Sequence, residues 1–121
     1  MAWIELHQSL PTNKKTLRLK NILKIKTPQA IGHLCMLWLW ALDNAADGDI
    51  SSFSADEIAE VSGWTGKDPE AFVSALVEAE FVDMEMTIHD WGDYAGRLIE
   101  QRQIQREQSR LRQQKRRDKI K

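Results

Sequence analysis

The chain has 121 residues, 42% of them hydrophobic and 29% charged, with a net charge of −1. That is enough for one domain of ordinary size plus an extension, and the longest apolar stretch, the nine residues "LCMLWLWAL" (Leu34–Leu42), falls short of the roughly 20 that a membrane span needs. The lone Cys35 excludes an internal disulfide and fits a reducing compartment, so a soluble, cytoplasmic protein is expected.

The small net charge hides a segregation. Arg97–Lys121 holds ten of the 17 bases and only three acids, Glu100, Glu107 and Asp118, a net of +7. The first 96 residues hold the other seven bases and 15 acids, a net of −8. Six of those seven bases lie between Lys14 and Lys26, and Lys67 is the only base from Thr27 to Gly96. The chain therefore reads basic, acidic, basic, and such asymmetry points to a polyanionic partner for one part of it.

"SLPTNKKTLRLKNILKI" predicts a first helix, capped by Thr12 or Asn13, with Leu17, Leu19, Ile22 and Leu23 turned inward and Lys14, Lys15, Arg18 and Lys24 left to solvent. "KTPQAIGHLCMLWLWALDNA" predicts a second, with Thr27 at the N-cap and Pro28 first. It is apolar all round from Leu34 to Leu42, so it should be central, or shared with another subunit. Asp47-Gly48 marks a turn and "DIS" a short strand. Ser54 and Glu57 form a capping box with Phe53 and Ile58 at the staple positions, opening a short helix that Gly63 stops. Asp68 and Pro69 open the next helix, whose stripe is Phe72, Val73, Leu76 and Val77. Val82, Met84, Met86 and Ile88 then alternate with polar residues at strand period, long enough for a small hairpin. From Asp90 the pattern turns helical and runs into the basic tail.

This order predicts a mainly α fold with a small β-hairpin: a winged helix-turn-helix over residues 1–95, then an extended C-terminal basic helix or linker over 96–121. "MAWIELHQSLPTNKKTLRL", "HLCMLWLWALDNAADGDIS" and "HDWGDYAGRLIEQR" resemble the N-terminal domain of phage replisome organisers, replication-initiation proteins akin to the DnaD-type primosome proteins. The resemblance spans roughly Met1 to Arg102. It implies a winged-helix domain that takes part in origin recognition and self-association in a bacterial host. In that family a second, C-terminal domain usually contacts the helicase or its loader; with the sequence stopping at Lys121, that domain is expected to be absent, either by nature or by truncation. The chain departs from the pattern at the wing, where Met84-Glu85-Met86 stands in place of a glycine-bearing turn.

Other chemistry is poorly supported. "DNAADGDI" matches a calcium loop at its first, fifth and sixth positions (Asp43, Asp47, Gly48) but has Ala45 at the third and Ser54 at the twelfth, where a bidentate Glu is needed. His33 and Cys35 are two apart on a helix and point to different sides, and His7 and His89 lack ligand-spaced neighbours. Asp90 and Asp93 are better explained as helix N-terminal charge than as a catalytic pair. Neither a Walker motif nor a glycine-rich dinucleotide signature is present. The expectation is a protein without enzymatic activity, metal or cofactor.

The helix that would read the major groove carries Asp68, Glu70, Glu78 and Glu80, and phosphates repel such a surface. DNA contact is expected instead from Lys14, Lys15 and Arg18 of the first helix and from Arg102, Arg106, Arg110, Arg112, Lys115, Arg116 and Arg117 of the tail. Arg102, Arg106, Arg110 and Arg117 share one side of a helix, and a fully helical Arg97–Lys121 would reach about 37 Å. Leu34, Leu37, Trp38 and Trp40 are the expected contacts between copies. Two alternatives stay open: a protein-interaction scaffold whose basic tail meets an acidic surface, and a winged-helix transcription regulator.

Overall fold

The computed structural model describes residues 4–92 and 104–113. A short 3-10 turn, Leu10–Thr12, leads into α1 (Lys14–Leu23), α2 (Thr27–Asn44), α3 (Ala55–Val61) and α4 (Pro69–Glu78). Residues 104–113 form a further helix, α5. The architecture is mainly α, and no helix among the described residues is long and apolar enough to cross a membrane.

Local chemistry sets the helix starts. Asn13 Oδ1 accepts the Lys15 N–H at 2.9 Å and begins α1. Ser54 and Glu57 make the reciprocal capping box of α3: Ser54 Oγ accepts the Glu57 N–H at 3.2 Å, and Glu57 Oε1 accepts the Ser54 N–H at 3.0 Å. Asp68 Oδ1 accepts the Ala71 N–H at 3.1 Å and begins α4, with Pro69 first. α2 begins one residue earlier than expected: Lys26 is its N-cap, and the Lys26 N–H donates to Gln29 Oε1 at 3.0 Å.

The bonds from Ser54 hold the Glu57 carboxyl below its ordinary range, the backbone N–H first and the side chain second. A depressed folded value makes this cap fully effective above the unfolded carboxylate range and lost as pH falls through the folded value. Glu57→Gln keeps an acceptor but does not titrate. The variant should therefore lose less stability than the parent on going from neutral pH to about pH 3. Urea midpoints measured at both pH values check this, and equal losses in the two proteins count against it.

Three helices end in the same way, with a left-handed residue whose successor bonds back to the last turn. Gly63 (φ +76) does this after α3, where the Trp64 N–H reaches the Ala59 oxygen at 2.9 Å. Lys24 (φ 56) and Glu80 (φ 68) do it after α1 and α4 without the freedom of glycine.

α2 is the central element. α1 and α3 pack against it, and α4 packs against α1 and α3. Leu34, Leu37, Trp38, Ala41 and Leu42 of α2 are buried, with Leu19, Ile58, Phe72, Leu76 and Phe81 among the core residues around them. Trp38 lies 6.3 Å from Phe81 between ring centroids. α2 is not covered all round, because Met36 and Leu39 are each 48% exposed. In α1, Thr16 takes a buried place while Leu17, expected inward, faces out.

The expected hairpin and its wing do not form, and no β-strand occurs among the described residues. The chain instead reverses in a turn closed by the Met86 N–H on the Asp83 oxygen at 2.9 Å, with Met86 at φ 65. Two isolated bridges surround it: Val82 with Ile88, and Asp49 with Thr87. Asp49 is thus all that remains of the "DIS" strand. The reversal leaves too few residues on either side for a ladder. Only the ends of the alternating run, Val82 and Ile88, are buried, and Met84 at the tip is 88% exposed.

Behind this turn, Trp91 closes the domain. It is buried, its Nε1 donates to the Ala46 oxygen at 2.8 Å, and its ring lies against Gly48. Gly48 sits at φ +82, and a Cβ there would come 2.9 Å from the Trp91 ring.

Candidate nucleic-acid interface

The cations of α1 are placed by the residues that anchor it. Leu19 and Thr16 fix the inner side, which turns Lys14 and Arg18, one helical turn apart, out to solvent. Lys15 is half-buried, and its Nζ donates to the Glu80 oxygen at 3.4 Å. That contact sets a cation at the C-terminal end of α4, where the helix dipole favours positive charge. Asn13, Lys14, Lys15, Arg18 and Glu80 line a concavity of about 330 Å³. No ion pair among the described residues engages Lys14 or Arg18, so both remain available to an anion. The Glu80 carboxylate at the rim offsets part of their charge.

α4 presents Glu70, Ala71, Ser74 and Glu78 to solvent, with no cation among them. Asp68 is occupied in capping the helix. The surface that would enter a major groove in a helix-turn-helix therefore carries no charge able to neutralise phosphate.

In α5, Arg106 and Arg110 are one turn apart and flank a shallow concavity of about 420 Å³ with Gln105, Ser109 and Gln113. Arg112 is exposed on the same helix, and Ile104 and Leu111 are each 53% exposed. Arg102, Lys115, Arg116 and Arg117 lie outside the described residues, as do the domain boundary expected at 95 and the continuity of a helix from Asp90 into the tail.

Three of the four expected contacts between copies are elsewhere than at a surface. Leu34, Leu37 and Trp38 are buried inside a single chain, and Trp40 packs edge-on against Phe53 at 4.7 Å. The exposed positions of α2 run through Pro28, Gln29, Gly32, Met36, Leu39, Asp43 and Asn44 at spacings of three and four along one side, and Met36 and Leu39 are its outward apolar side chains. That spacing was readable in the sequence, but the all-round apolar run of α2 masks which side faces out.

The 43–51 stretch is built from local turns. Asp47 Oδ1 accepts the Asp49 N–H at 3.0 Å and Asp49 Oδ1 accepts the Ser51 N–H at 2.9 Å. Among the described residues no three metal-ligating side chains converge. His33 Nδ1 donates to the Ser62 oxygen at 2.8 Å, and burial pushes the Cys35 thiol up, away from the reactive thiolate.

No family model matches the chain, and neither the curated proteins nor the solved structures yield a match.

Proposed function

We propose that this chain is a non-enzymatic nucleic-acid-binding module, acting in replication initiation as the N-terminal part of a phage-type replisome organiser. The observation that carries the reading is the separation of charge: cations on α1 and in the C-terminal segment, and acids almost everywhere between. Lys14 and Arg18, with Lys15 beside them on the Glu80 oxygen, supply one cationic group for phosphate, and the arginines of the C-terminal segment supply a second. Arg and Lys without interleaved aromatics favour backbone contact over base reading, so binding is tolerant of sequence. The order α2, Asp49 bridge, α3, α4 and Val82–Ile88 bridge supports a winged helix whose wing is reduced to a turn. The likeness of three sequence stretches to phage replisome organisers gives the binding its setting, with a helicase or its loader as the further protein partner.

A second reading, an interaction scaffold on the same fold, is favoured by the acidic exposed side of α4. Titration of duplex and single-stranded DNA with the full chain at about 50 mM salt separates the two. The nucleic-acid reading expects binding to unrelated sequences with an affinity that falls linearly, on log axes, with salt. Absence of binding to either form at that salt removes it and leaves the scaffold.

A further inference from the structure

On the side of α2 away from the core lies a cavity of about 460 Å³, walled by Gly32, His33 and Met36 of α2 and by Gly63, Trp64 and Gly66 of the turn between α3 and α4. Its walls are fixed before anything enters. Trp64 stacks on Phe72 at 5.2 Å and 19°, and His33 meets both rings edge-on at 5.6 and 5.7 Å. The Gly66 backbone runs so close to the indole that a Cβ there would lie 2.2 Å from Trp64 Cζ2. A Cβ on Gly32, by contrast, would meet nothing within 4 Å. The mouth is basic: Ile25, which also lines the cavity, is flanked by Lys24 and Lys26, and Gly66 is followed by Lys67, all three exposed.

The same chain carries a side chain suited to this cavity. Met84, at the tip of the 83–86 turn, is the most exposed large apolar residue among those described, and Asp83 and Glu85 flank it. A methionine fills irregular apolar space well, and its thioether makes favourable contacts with aromatic edges. Asp83 is paired with His89 Nδ1 at 2.8 Å, so the exposed acid at the tip is Glu85, opposite in sign to the lysines at the mouth. The two features sit at opposite ends of α4, the cavity before Pro69 and the tip beyond Glu78, so about 15 Å of helix separates them and a chain cannot fill its own cavity.

We propose that the Met84 tip of one copy docks in the cavity between α2 and the 63–66 turn of a second copy, joining copies head to tail. The contact is heterologous: every docked pair leaves one free tip and one free cavity, so assembly continues along a line or closes as a ring. A single anchored side chain with a charged rim makes a small interface, below the size of stable complexes, so association is weak in free solution. Copies held close on a shared scaffold would associate far more readily. Docking of this kind is independent of nucleic-acid binding.

Sedimentation of the full chain over a concentration series up to about 1 mM tests it, 1 mM being the weak end of measurable affinity. The weight-average mass should rise above the 14.0 kDa of one chain as concentration increases. Met84→Asp removes the tip, and Gly32→Trp fills the mouth at a helix position where loss of glycine favours the helix. Each variant alone should remain at one chain mass, with association weakened at least ~10-fold, the equivalent of ~1.4 kcal/mol. An equimolar mixture should form a dimer and nothing larger, because it offers one working tip and one working cavity. A parent chain that stays at one mass throughout overturns the proposal. So does a Met84→Asp chain that associates like the parent, or a mixture that forms no dimer when the parent assembles.

Discussion

Removing residues 99–121 should leave a folded domain that has lost most of its affinity for nucleic acid, on the order of 100-fold at ~0.1 M salt. The deletion takes away nine of the 17 bases and only three acids. Each phosphate left unneutralised takes roughly 0.9 from the slope of log affinity against log salt on duplex, so the truncated domain should also be much less salt-sensitive. The fold does not lean on the described part of the tail. Its core is closed by Trp91, and every residue from 104 to 113 is exposed. Alone in water a short basic helix with two apolar anchors should fray, and phosphate relieves the repulsion that frays it, so ordering and binding are coupled. Circular dichroism of the full chain should accordingly gain helical signal on adding DNA, and the truncated domain should not. If the truncated domain binds as tightly as the parent at equal salt, the tail is a linker and the nucleic-acid contact belongs to the domain itself, where Lys14, Lys15 and Arg18 are its main cations.

The largest effect on stability is expected at Trp91. Trp91→Ala empties a buried site and strips the donor from the Ala46 oxygen, a loss of about 3–5 kcal/mol. Against the ~5–15 kcal/mol typical of a whole domain, this is a large share and should lower Tm by on the order of 15 °C. Gly48 reports on the same contact from the other side. In the parent, Gly48→Ala meets two penalties: a left-handed backbone, about 1–2 kcal/mol, and collision with the indole, about 1–3 kcal/mol. In the Trp91→Ala background the second disappears. A double-mutant cycle by urea unfolding should therefore show a coupling of about 1–3 kcal/mol. Additive losses would show that Trp91 does not rest on Gly48.

The helix starts were legible because their signals are local. Ser54 with Glu57 and Asp68 with Pro69 announce α3 and α4 within four residues, and no tertiary contact overrides them. Helix ends were half legible. Gly63 is a visible stop, but Lys24 and Glu80 take the same left-handed conformation without any residue that signals it. The run from Val82 to Ile88 misled because period-two alternation states which residues point alike only if the chain stays extended. A turn at 83–86 breaks that premise, burying the ends and exposing Met84. α2 misled in a different way. Its apolar circumference could not say that Trp38 faces the core while Met36 faces water, since that depends on where α1 and α3 happen to lie. For the cations, the sequence located the charge but not its prior engagements, and the tie between Lys15 and the Glu80 oxygen needs the two helices in register.

The left-handed residues have a consequence for how this domain can change. Lys24 and Glu80 occupy a conformation that disfavours any side chain, at joints the rest of the structure holds shut. Met86 and Asp90 share that conformation, so all four such residues lie in connections rather than inside helices, and the core packing is left untouched. Variation at these joints can therefore raise or lower the resilience of the domain while its interior stays the same. A lineage carrying this fold has a margin from which to absorb costly substitutions on its charged surfaces, where a change of partner would first be written.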